Sequence, residues 1–183
     1  MKSYHLLLIC IGLFVISSCS SDLEFDFDNS EQELEFFDYL DYDNPTVLPG
    51  YCVIGSIQYA GIQLNIYYPT LLIELALEGY AVRDPDGHLI GLSMSSYDWN
   101  TALSYFFNVE YPQGQNSVIS AILNGQPVIC RINGRTHAVV LTGVDLQNNK
   151  FYAYDSTANT PTQIIQVNFG DVQDPRILSH PGY

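Results

Sequence analysis

Cys52, His137 and Asp155 are the residue types from which an acyl-transfer site is made. A thiol can act as nucleophile, an imidazole can hold its proton, and a carboxylate can fix the imidazole's tautomer and plane. The three are far apart along the chain, so only folding could bring them together. His137 opens the apolar run Ala138-Val139-Val140-Leu141, and Asp155 stands eighteen residues on, across one expected hairpin. Cys52 precedes apolar residues at 53, 54, 57 and 60, a helical spacing for which Gly61 is the expected stop. A thiol at a helix start faces unpaired N–H groups and the positive end of the dipole, which favour thiolate. The expected resting state is therefore a Cys52–His137 ion pair.

The elements that would position these residues follow from composition and period. Pro69 leads into a helix over Thr70–Glu78 with Gly79 as its stop, and Asp84-Pro85-Asp86-Gly87 reads as a turn. Asp98 is expected to cap a third helix whose Trp99, Ala102, Leu103, Phe106 and Phe107 recur on one face. A fourth helix starts at Asn116 or Ser117 and ends at Asn124-Gly125. Strands follow at 127–132, 138–144, 151–154 and 163–167, separated by turn sequences. Helices first and an antiparallel sheet second make an α+β architecture.

From Tyr51 to Tyr154 this order resembles papain-like cysteine peptidases, in particular the branch that includes the leader-processing peptidases of bacteriocin exporters and their secreted relatives. The residues that carry the resemblance are Cys52, Gly125-Gln126-Pro127-Val128, His137-Ala138-Val139-Val140-Leu141-Thr142-Gly143 and Tyr154-Asp155. It implies a papain-like fold with the nucleophile at the start of the first helix, and roles of nucleophile for Cys52, general base and acid for His137, and orienter for Asp155. It also implies an oxyanion hole built partly from the Cys52 backbone N–H. The glutamine that such peptidases carry just before the cysteine is missing here, and Asn44, Thr46 or another backbone N–H would have to replace it. The expected substrate is a peptide or amide. An amidase or transpeptidase acting on cell-wall peptides would use the same triad, and a non-catalytic binding or inhibitory protein could keep the same fold.

The N-terminal residues read as targeting. Lys2 precedes an apolar run from Leu6 to Ile16, too short to span a bilayer comfortably, which ends in Ile16-Ser17-Ser18-Cys19. That ending resembles a bacterial lipobox, which makes 1–18 a lipoprotein signal peptide and Cys19 the lipidated first residue. An ordinary secretory signal cleaved nearby is the alternative. From Asp22 to Asp43 the chain carries ten of its twenty acids and no Lys or Arg, so 19–45 is read as a solvated tether. Phe25, Phe27, Phe36, Phe37, Tyr39 and Leu40 also suit a segment that packs on the body as a pro-segment would. The acids after Cys19 resemble the surface-export signal of Bacteroides-type lipoproteins, which implies an outer-membrane anchor with the body in the periplasm or on the cell surface. The papain-like domain is then 46–183.

Several functions are excluded or unsupported. With a net charge of −14 and only five basic side chains beyond the signal, the chain offers no phosphate-binding footprint, so no nucleic-acid partner is expected. No cofactor is implied. His88, after a Pro-Asp-Gly turn, is expected to be solvated and His180 lies in a Pro-flanked tail, so no clustered ligands for a metal are expected near either. Asp145 is read as a turn residue. After processing and lipidation of Cys19, Cys52 and Cys130 are the remaining cysteines, and both are expected to be free, with a Cys52–Cys130 disulfide as the alternative.

Overall fold

The computed structural model describes residues 46–182; Cys19, Asn44, the signal and the acidic segment lie outside the described residues. A short strand β1 (Thr46–Leu48) leads through Pro49 into helix α1 (Gly50–Gln63). Gly61 does not end α1. It is buried, and a Cβ there would stand 2.9 Å from both Ile66 O and the Tyr68 ring, so its role is close approach by the returning chain. The helix ends at Gln63, with Leu64 as its C-cap, and Asn65 beyond the cap has a φ of 59°, the left-handed geometry that breaks a helix.

Helix α2 (Thr70–Ala76) follows, shorter than the expected span because a 3-10 turn takes over at Glu78–Tyr80. Strands β2 (Ala81–Arg83) and β3 (Leu89–Met94) pair antiparallel, and β3 also pairs with β1, giving a three-stranded sheet in the order β1-β3-β2. That sheet was not expected from sequence. Its strands are short, and the Gly-Leu-Ser-Met end of β3 has little β-branched character.

Helix α3 (Ser96–Ser104) is capped by Ser95 and not by Asp98. Asp98 is the third helical residue: its N–H donates to Ser95 Oγ at 3.1 Å while its carboxylate accepts from Ser95 N–H at 3.0 Å, a reciprocal capping box. Phe106 and Phe107 fall just past the helix but are buried with its Trp99 and Leu103 as the periodicity implied.

Strand β4 (Asn108–Glu110), helix α4 (Gln115–Leu123) and strands β5 (Val128–Ile132), β6 (His137–Asp145), β7 (Lys150–Tyr154), β8 (Ile164–Asn168) and β9 (Gln173–Ser179) complete the described chain. They form a six-stranded antiparallel sheet in the order β4-β9-β5-β6-β7-β8. Three of its strands, β5, β6 and β9, have faces that separate cleanly. Ile129, Ala138, Val140 and Leu178 pack with α1 and α3, while Val128, Cys130, Val139, Leu141 and Ile177 pack with α4. The period-two alternation thus buries both faces, which is why these segments read as continuous apolar runs. Among the described residues the architecture is α+β, with helices on both faces of an antiparallel sheet.

Strand β9 was also unexpected, because Gln173-Asp174-Pro175-Arg176 carries charge and a proline into the sheet interior. The register explains it. Ile129 pairs with Arg176 and Arg131 with Gln173, so Asp174 and Pro175 sit in a bulge, where a missing N–H costs no ladder bond. Asp174 has a φ of 46°, a strained value for a residue with a side chain.

Candidate active site

Residue 52 is the third of α1, so the expected placement at a helix start holds. Its sulfur is fully buried and makes two short-range contacts. The thiol donates to Pro49 O at 2.9 Å and accepts from Ala138 N–H at 3.4 Å. The second contact puts the sulfur beside the peptide that follows His137. Burial, with a smaller push from the Asp155 charge, raises the Cys52 thiol to about 11 against the donation from Ala138. The expected resting thiolate is therefore corrected: at neutral pH the sulfur keeps its proton, because loss of water outweighs what the helix start supplies. Cys52 and Cys130 are both free and buried, so there is no bridge between them.

His137 is the first residue of β6, and Asp155 is the first residue past β7. The two strands pair, with Val140 opposite Tyr154, which returns Asp155 to the end of β6 that carries His137. His137 Nε2 stands 2.9 Å from Asp155 Oδ2, with only 14% and 11% of the two side chains exposed. The other oxygen, Oδ1, accepts from Thr157 N–H at 2.9 Å and from Thr157 Oγ1 at 2.8 Å. Burial alone would raise the Asp155 carboxyl. The Thr157 N–H, the His137 ring and the Thr157 hydroxyl more than offset it, so the carboxyl lies below its ordinary range. A charged Asp155 on Nε2 leaves Nδ1 of His137 as the ring nitrogen able to take a proton. The sequence reading missed Thr157, although Asp-Ser-Thr after a strand is an Asx-turn signal that could have found it.

A buried polar cluster supports the turn that carries His137. Arg131 and Asp174 form an ion pair with side chains 1% and 2% exposed, and Arg135, two residues before His137, reaches the same carboxylate at 3.3 Å. Ser96 Oγ donates to Asp174 Oδ1 at 3.0 Å, Arg131 donates to Met94 O at 3.1 Å, and Trp99 Nε1 donates to Asp174 O at 3.2 Å. The cluster therefore ties the end of β3 and the start of α3 to the β5–β6 turn and the β9 bulge. A single arginine inside Val-Ile-Cys-Arg-Ile, a strand with every residue buried, was the available signal that a buried acid must face it.

The remaining candidates fall elsewhere. The Cys52 N–H expected for the oxyanion hole donates to Pro49 O at 3.2 Å. Thr46 lies in β1 opposite Met94. Asp145 closes a turn by accepting from Asn148 N–H at 3.2 Å, as expected. His180 is exposed, and its Nδ1 lies 2.8 Å from Pro181 O. The expectation that His88 has no ligand types near it is corrected. The turn folds back so that ligand-capable atoms of Asp84, Asp86 and His88 lie within 4.8 Å of one another, with Asp84 Oδ2 3.1 Å from His88 Nδ1.

A family model described as the Peptidase_C39 like family matches residues 76–174, more than half of the chain. His137, Asp155 and Asp174 lie inside the matched span and Cys52 lies before it. No curated protein and no solved structure matches the chain.

Proposed function

From the premise that the chain belongs to the Peptidase_C39 like family, we propose that it is a papain-like cysteine hydrolase, a peptidase in the first instance, held at the cell envelope through a lipid on Cys19. The observation that carries this reading is the 2.9 Å His137–Asp155 pair beside a helix-start cysteine whose sulfur accepts from the N–H of Ala138, the residue after His137. In the proposed reaction His137 Nδ1 takes the Cys52 proton as the sulfur attacks the substrate carbonyl. The imidazolium, stabilised by Asp155, then gives that proton to the leaving amine as the C–N bond breaks. A thioester remains. Water, losing a proton to His137, attacks it, and the acid leaves as the thiol is restored. Because the free thiol is neutral, His137 acts here as a base during attack and not as the partner of a standing ion pair. An amidase or transpeptidase acting on cell-wall peptides would use the same steps.

Complete burial of Cys52 and its high pKa favour a second reading, a binding or inhibitory lipoprotein that keeps the fold without the chemistry. The alkylation rate of Cys52 by iodoacetamide, followed by mass spectrometry against pH, separates the two. The hydrolase reading expects a rate at neutral pH above that of a thiol titrating near 11, and H137A should leave only the limb that rises towards that value. Superposable profiles for the wild type and H137A would leave the non-catalytic reading standing.

A further inference from the structure

The face of α1 that carries Cys52 also carries Gly55 and Tyr59, three and seven residues on, and all three meet the chain segments around the candidate base and acid. Cys52 Sγ accepts from Ala138 N–H at 3.4 Å, next to His137. Tyr59 stacks on Tyr154, the residue before Asp155, with ring centroids 3.9 Å apart and planes within 6°. Between them Gly55 faces Ser156, the residue after Asp155. A Cβ on Gly55 would stand 2.3 Å from Ser156 Cβ and 2.4 Å from Ser156 Oγ. No rotamer of Ser156 relieves a Cβ–Cβ approach of that length. Ser156 Oγ donates back to Tyr51 O at 3.3 Å, on the peptide that precedes Cys52.

Both chain neighbours of Asp155 are thus docked on the helix of the nucleophile, while the carboxylate itself is shared between Thr157 and His137. A glycine inside a helix costs about 1 kcal/mol relative to alanine, so the position needs a reason. Resting on the triad reading above, we propose that Gly55 is a positioning residue: its missing side chain leaves the notch that seats Ser156, and that seat sets Asp155 on His137. The helix therefore fixes the acid as well as the thiol, and the triad is registered through one column of α1.

The test compares wild type, G55A, G55A/S156G, D155N and H137A, each as the full chain, by the pH profile of iodoacetamide alkylation at Cys52 and by thermal unfolding. G55A is expected to keep a cooperative transition yet to take on the D155N profile, with roughly a tenfold to hundredfold lower rate at neutral pH, the scale of loss for about 1 Å of misplacement. Removing the Ser156 side chain in G55A/S156G reopens the space and should return the profile towards wild type. A G55A profile of wild-type shape, with only the unfolding temperature lowered, would make Gly55 a packing residue and overturn the inference while D155N and H137A still respond. A G55A chain that fails to fold and is not recovered by S156G would overturn it as well. If neither D155N nor H137A alters the profile, the triad reading itself falls, and this inference with it.

Discussion

Cys52 is subject to two opposed influences on its proton. The third position of a helix offers N–H groups and a favourable dipole end, each worth a fraction of a kcal/mol in exposed settings, whereas full burial removes the hydration that a thiolate needs. Burial dominates, and the thiol is pushed up to about 11. A stability consequence follows from the sign. An unfolded thiol titrates near its ordinary value of 9.0, so between that value and about 11 the unfolded chain has released a proton that the folded chain still holds. Folding stability contributed by Cys52 is complete below the ordinary value and is lost as pH rises through the folded one. Urea unfolding midpoints should therefore decline across this alkaline window in the wild type, and C52A should decline less, because Cys130, raised in the same direction by its own burial, still contributes. Equal declines in both would show that Cys52 has no share. The residue types of the triad were legible in the sequence because each is chemically distinctive. The Cys52 protonation state was not, since it depends on solvent exclusion by residues distant in the chain.

At the scale of elements, the turn between β5 and β6 owes its place to Asp174. That carboxylate, 2% exposed, meets Arg131 and Arg135 and receives the Ser96 hydroxyl. Removing one partner of a buried ion pair leaves the other charge unpaired, a loss of about 3–5 kcal/mol, while replacing both with apolar residues of similar size costs far less. D174N is accordingly expected to lose about that much stability in urea, and R131M/D174L to be more stable than D174N. A D174N midpoint at the wild-type value would rule out the cluster as a support for the His137 turn. Strands β5 to β8 and helix α4 were readable because their periodicity is clean and their turns are marked by Asn and Gly. β9 was hidden by the Asp-Pro pair that its bulge accommodates, and the three-stranded sheet by strands of three to six residues, too short for a period to declare itself. The stop of α1 was misplaced for a related reason: Gly61 answers to a tertiary contact with Tyr68 and not to the helix end.

At the scale of the whole molecule the proposed anchor and the proposed chemistry are separable. Among the described residues no helix is long and apolar enough to cross a membrane. Under the anchoring proposal, C19A expressed in a lipoprotein-exporting host should move from the detergent-soluble membrane fraction to the soluble one. Its Cys52 alkylation profile should stay as in wild type, because the described body begins at Thr46 and contains Cys52, His137 and Asp155. Membrane association that survives C19A would point to another means of attachment and would leave the triad untouched.

The order β4-β9-β5-β6-β7-β8 also bears on when this molecule can exist as a folded body. Strand β9, the last of the described strands, is inserted between β4 and β5, and its Asp174 neutralises the arginine in the middle of β5. A chain emerging in N-to-C order therefore holds a gap in its sheet, with the Arg131 guanidinium lacking its counter-charge, until residues 173–179 have cleared the exit. Closure of the gap is a long-range, late event. The His137 turn, and with it any reactivity of the thiol, would be completed only after the last of the described strands had been released.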